Sequence, residues 1–158
     1  MEEVLIQSDY EIERGKPMPS KNHSIVQKRL VVFLENHYGS QFEIMPEINL
    51  DQPNLRDRVP DIGIFPPQEF VPEDDEIRMA QTPLGLIEIL SPKQDITELL
   101  TKCAEYFKNG VRSYWLVLPS LRTIYVFSAA NDYEVFAKQD RLSDEKLGIE
   151  VNLADIFK

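Results

Sequence analysis

The amino-acid sequence predicts a mixed α/β fold, a β-sheet flanked by helices, and three observations predict it. Segments of helix and strand character follow one another between residues 24 and 128 in the order α, β, β, β, α, β, β. The run Leu84-Gly85-Leu86-Ile87-Glu88-Ile89-Leu90 is apolar on both alternating faces except at Glu88. Pro83 bounds it on one side and Ser91-Pro92 on the other, so it reads as a central buried strand. Residues 95–108 carry Ile96, Leu99, Leu100, Cys103 and Phe107 on one helical stripe. The chain has 158 residues, 42% of them hydrophobic and 28% charged, which predicts one domain over residues 1–158. That length buries a core without disulfides or structural metal.

Taken in order, residues 10–16 alternate weakly and predict a short strand that ends in a turn at Gly15. Ser20 or Asn22 caps a helix running to about Tyr38, with Val26, Leu30, Phe33, Leu34 and His37 at helical spacing and Gly39 as its stop. Residues 42–50 read as a strand bent at Pro46, which favours an edge position. Gln52-Pro53-Asn54 is a turn, residues 59–65 form the next strand, and Pro66-Pro67 ends it. Residues 68–80 are an acidic loop before the Glu88 strand. Asp95 caps the second long helix, and Asn109-Gly110 stops it. Strands at 113–118 and 123–128 follow, then a short strand at 133–137 and a packing segment at 153–157.

Composition narrows the function. The N-terminus begins Met1-Glu2-Glu3 with no apolar segment of a secretory signal, and no apolar run approaches the length of a membrane span, so a cytoplasmic protein is expected. The single cysteine, Cys103, excludes a disulfide framework and a cysteine-based zinc site. A formal charge of -10 argues against tight non-specific binding to nucleic acid, but the excess acid is uneven. Residues 66–80 hold five acids against Arg78 alone, whereas residues 81–128, around Glu88, hold four acids and five bases. A local phosphate site stays open there.

Glu88 is the informative residue. An ionised carboxylate in a buried strand costs several kcal/mol to desolvate unless donors or a cation compensate it. Asp61 follows Pro60 at the start of the preceding strand, and neighbouring strands about 4.8 Å apart could set the two carboxylates side by side. Such a pair suits a hard cation, Mg2+ or Mn2+, with water completing the shell. Phosphoryl chemistry then needs positioning, charge neutralisation and a lysine near the attacking water. Two competing readings are an Asp61 that only caps a strand and a Glu88 paired with an arginine such as Arg56 or Arg58.

Pro60-Asp61 and Glu88, with the αβββαβ order, resemble the PD-(D/E)xK nuclease superfamily. The lysine expected two positions after Glu88 is replaced by Leu90, and Lys102 on the following helix is the candidate substitute. The chain more closely resembles the Uma-two family of bacterial endonucleases. Tyr10-Glu11, Gly15, Met18-Pro19-Ser20 and His23 are similar to its N-terminal signature. Val59-Pro60-Asp61-Ile62, Ile87-Glu88-Ile89-Leu90-Ser91-Pro92, Lys102, Tyr106, Gly110-Val111 and Tyr114-Trp115 fall at its spacing, with Glu98 where the family usually has aspartate.

The resemblance implies a restriction-endonuclease-like fold and metal-dependent hydrolysis of nucleic-acid phosphodiesters, with DNA as the partner and a homodimer as the form that cuts both strands. It implies Asp61 and Glu88 as metal ligands and the Ile89 carbonyl as a third. Lys102 would orient or deprotonate the attacking water. His23 and Glu11 are accessory candidates, Glu11 on the resemblance alone. Against these stand plainer readings: a Glu98–Lys102 ion pair on the helix surface, a capping or packing role for His23, and core packing for Cys103 and Trp115. Lys21, Lys28, Arg29, Arg56, Arg58 and Lys93 could meet phosphate, although a solvated surface is their usual place. The alternative function is a catalytically silent interaction module that keeps the fold.

Overall fold

Ser20 supplies the N-cap that the sequence asks for: its side chain accepts the N–H of His23 at 3.2 Å, and a helix runs over Lys21–Tyr38. This is the second helix of a computed structural model that describes residues 6–14, 18–53, 55 and 58–158. In chain order the elements are α1 (Asp9–Arg14), α2 (Lys21–Tyr38), β1 (Glu43–Pro46), β2 (Ile62–Phe65), β3 (Gly85–Ile89), α3 (Ile96–Lys108), β4 (Ser113–Leu118), β5 (Thr123–Ala129), β6 (Asp132–Ala137), β7 (Arg141–Asp144), β8 (Ile149–Asn152) and α4 (Leu153–Ile156).

Strands β1 to β6 form one sheet in sequence order, antiparallel except for β3 and β4. That parallel pair needs a crossover, and α3 makes it. Strands β3 and β4 are buried at every position, which their unbroken apolar runs anticipate. One face of the sheet, with Ile62, Ile64, Ile87, Ile89, Trp115 and Val117, is covered by Val26, Leu30 and Leu34 of α2 and by the β7–β8 hairpin with α4. Leu30 and Leu34 are wholly buried, each contributing about 1.5–3 kcal/mol. The other face carries Phe65, Leu86, Tyr114 and Leu116 and is covered by Leu99, Cys103 and Tyr106 of α3 with Leu50, Leu55 and Met79.

Several expectations change. Residues 10–14 are helical rather than extended, because Ser8 and Glu11 form a capping box: the Glu11 N–H donates to Ser8 Oγ, and Ser8 Oγ donates back to Glu11 Oε1, both at 3.2 Å. The turn at Gly15, the N-terminal Met1-Glu2-Glu3, the Asn54 turn position and the Arg56 readings lie outside the described residues. On α3 the buried stripe is Leu99, Cys103 and Tyr106, while Ile96 and Leu100 stay 39% and 42% exposed. The expected strand at 42–50 stops at Pro46, and the one at 59–65 starts only at Ile62. Residues 141–152 form an unanticipated hairpin, β7 with β8. Arg29 is not a free surface cation; its guanidinium donates to the carbonyls of Ile156 at 3.1 Å and Lys158 at 2.6 Å. Gly110 ends α3 as expected, at φ +91, a conformation that favours glycine. Among the described residues, no helix is long and apolar enough to cross a membrane.

Candidate active site

The site forms where the pairing of β2 and β3 breaks off. Leu90 sends its N–H to Val117 on β4 at 2.8 Å, so the N–H of Ile89, one residue earlier, points towards β2. The β2–β3 register pairs Ile62 with Ile87. Continued by one step, it sets Asp61 opposite Glu88; by two, it sets Pro60 opposite Ile89. Proline has no N–H for the Ile89 carbonyl, so the ladder cannot continue there. Asp61 takes over, its Oδ2 accepting the Ile89 N–H at 2.7 Å. That bond sets the Asp61 carboxylate against the main chain of Ile89, the residue after Glu88.

Both are buried, Asp61 at 1% and Glu88 at 2% exposure. Buried carboxylates are costly unless donors, a shared proton or a cation offset them. Donors reach them from both faces of the sheet. From α2, His23 Nε2 lies 3.2 Å from Asp61 Oδ2. Gln27, one turn further along the same helix, donates to the Asp61 main-chain carbonyl at 3.0 Å. From α3, the Tyr106 hydroxyl donates to Glu88 Oε1 at 3.2 Å. Burial raises the Tyr106 phenol pKa well above its ordinary value, and the Glu88 charge raises it further, while Arg58 pulls the other way. Tyr114 is raised by burial and by Glu88 as well. Both phenols therefore stay protonated donors.

Tyr106 also fixes where Lys102 sits. Helix α3 starts beyond the Leu90 end of β3 and runs back to the start of β4, so Lys102, one turn before Tyr106, lies towards that sheet end. It is only 12% exposed, and its ion pair is with Glu98 at 3.4 Å. The expected Glu98–Lys102 pair is therefore present, on a lysine that is mostly covered. Arg58 pairs with Glu105 rather than with Glu88. Glu11 is used at the start of α1, where its hydrogen bonds among the described residues run to Ser8.

The donor set suits a hard cation in its chemistry: two buried carboxylates, Asp61 and Glu88, and the main-chain oxygen of Ile89, whose N–H meets Asp61. Among the described residues, no three His, Cys, Asp or Glu side chains are grouped to hold a metal. Water would have to complete the shell, as magnesium prefers. The sequence signal for Gln27 is helical spacing, four residues after His23; Tyr106, which stands at the family's spacing, likewise follows Lys102 by four.

No curated protein sequence matches the chain. Among solved structures, a "putative nuclease belonging to DUF820" from Anabaena variabilis superimposes with a TM-score of 0.75 at 24% identity, covering 89% of this chain and 83% of that one. A chain of a DrdV–DNA complex gives a TM-score of 0.46 at 13% identity, covering 87% of this chain and 76% of that one. The first of these establishes a shared fold, the mixed sheet flanked by helices. The model of the Uma2 family, described as "Putative restriction endonuclease", matches residues 7–154. That span is nearly the whole sequence, and it shows that this chain belongs to the Uma2 family.

Proposed function

We propose that the protein is a metal-dependent endonuclease that hydrolyses DNA phosphodiesters, with its site within one domain. Nuclease chemistry is what the family description gives. The observation that carries the finer reading is the Asp61 carboxylate, bonded to the N–H of Ile89, the residue that follows a buried Glu88. Asp61, Glu88 and the Ile89 carbonyl would hold Mg2+ or Mn2+. When bound, that cation supplies positive charge to the phosphate and lowers the cost of ionising water.

The chain's own residues do the rest. His23 and Gln27 hold Asp61, and Tyr106 holds Glu88. Lys102 stands at the sheet end in place of the lysine that Leu90 displaces, and its ammonium orients the attacking water and stabilises negative charge on phosphorus. To do so it must exchange Glu98 for the substrate, at a cost of only a few tenths of a kcal/mol. In hydrolysis the water oxygen bonds to phosphorus, the bond to the leaving oxygen breaks, and that oxygen gains a proton. Two copies of the chain would serve to cut both strands.

The test is cleavage of plasmid and single-stranded DNA with Mg2+ or Mn2+, comparing wild type with Lys102→Met. Metal-dependent cleavage that falls sharply in the variant supports the reading. Metal binding without cleavage by the wild type would instead favour a silent module that retains the fold.

A further inference from the structure

We propose that Tyr106 is a positioning residue for Glu88, its hydroxyl setting the plane of that carboxylate for cation binding; this rests on the metal-dependent reading above. Tyr106 is 1% exposed, although a tyrosine commonly keeps its hydroxyl in water. Packing alone would be served by phenylalanine, and a buried hydroxyl is costly unless it is bonded. Here it donates to Glu88 Oε1. The ring cannot swing away. The Tyr114 ring lies against it with centroids 5.7 Å apart, a contact that does not need the Tyr114 hydroxyl. Leu99 and Cys103, both wholly buried, fix the position of α3 on the sheet.

The chemistry of the donor matters. A lysine or arginine at this position would neutralise the carboxylate and compete with a cation for it. A phenol orients one oxygen while its own contribution leaves the negative charge in place. Asp61 is held in the same manner from the other face, by His23 at its carboxylate and Gln27 at its carbonyl. Partners of this kind around metal ligands change metal affinity or activity by about 10- to 100-fold when removed.

The test is calorimetric titration of the full-length protein with Mn2+, comparing wild type, Tyr106→Phe and Tyr114→Phe, with circular dichroism and urea unfolding to establish that each is folded. Tyr114→Phe is the control, because it also loses a buried hydroxyl bond but one that does not touch Glu88. Tyr106→Phe is expected to weaken Mn2+ binding by about tenfold or more, and to lower kcat on plasmid DNA with KM unchanged. Tyr114→Phe is expected to leave Mn2+ affinity as in the wild type. Equal weakening in both variants would assign the effect to a loosened core and overturn the proposal. Unchanged Mn2+ affinity in Tyr106→Phe overturns the proposal alone. A wild type that binds no Mn2+ overturns the metal-dependent reading and this proposal with it.

Discussion

The N–H of Ile89 donates to Asp61 Oδ2 at 2.7 Å, a side-chain bond made where Pro60 ends the β2–β3 ladder. Asp61 closes a buried backbone donor there, and in the proposed site its carboxylate also holds the cation with Glu88. These tasks separate by mutation. Asp61→Asn keeps an acceptor for Ile89 and is expected to stay folded but lose cleavage. Asp61→Ala leaves that donor buried and unmet, which costs about 1–3 kcal/mol in urea unfolding as well.

Lys102 is expected to act on catalysis and hardly at all on folding. Its pair with Glu98 spans one helical turn, and Glu98 is 47% exposed. Lys102→Met should therefore shift urea stability by only a few tenths of a kcal/mol. Losing a group that stabilises charge in the transition state typically lowers the rate about 10²- to 10³-fold, so kcat should fall by roughly that factor. Steady-state cleavage with Mn2+ affinity measured alongside separates this from a loss of metal.

Asp144 is a second buried carboxylate with a different fate. Its Oδ2 accepts from Ser113 Oγ at 2.5 Å and Trp115 Nε1 at 2.7 Å, and its Oδ1 accepts the Leu147 N–H at 3.1 Å. The first two bonds tie the β7–β8 hairpin to β4, and the third closes the hairpin's own turn. Asp144→Ala strands three buried donors and should cost about 3 kcal/mol or more. Urea unfolding followed by Trp115 fluorescence measures it, and cleavage by the folded fraction should be unchanged.

Cys103 lies in the core under α3, and burial pushes its thiol pKa up to about 12. In the unfolded chain a thiol ionises near pH 8.5. The raised folded value gives stability that is fully present below the unfolded pKa and is lost as pH rises towards the folded one. Iodoacetamide at pH 8 should leave the native protein unlabelled and label it in urea, as read by mass spectrometry. Rapid native labelling would contradict the buried placement.

Much of this molecule is legible from local chemistry. Ser20 and Asp95 cap their helices as their residue types suggest. The apolar run around Glu88 is the buried strand that it reads as. Proline before Asp61 and a lone acid in β3 were enough to propose the pair. Other features depend on tertiary context. The alternation at residues 10–14 suggests a strand, yet the Ser8–Glu11 capping box is the stronger local signal and makes a helix. On α3, Ile96 and Leu100 look as apolar as Leu99, but the sheet meets the side bearing Leu99, Cys103 and Tyr106. Strand β7 escaped notice because Asp144 stands at an inward position where the alternating pattern calls for an apolar residue. His23 could be suspected from sequence; its contact with Asp61 is a matter of how α2 crosses the sheet end.

The most direct measurement is cleavage of plasmid and single-stranded DNA with Mg2+ or Mn2+ by wild type and by Glu88→Gln, both shown to be folded. Removing a ligand that holds the cation forfeits several kcal/mol of transition-state stabilisation, about a thousandfold in rate. The expected result is metal-dependent cleavage by the wild type, abolished by EDTA and reduced by about that factor in Glu88→Gln. Cleavage equal in the two proteins, or none by the wild type with either metal, would contradict a catalytic role for the Asp61–Glu88 pair.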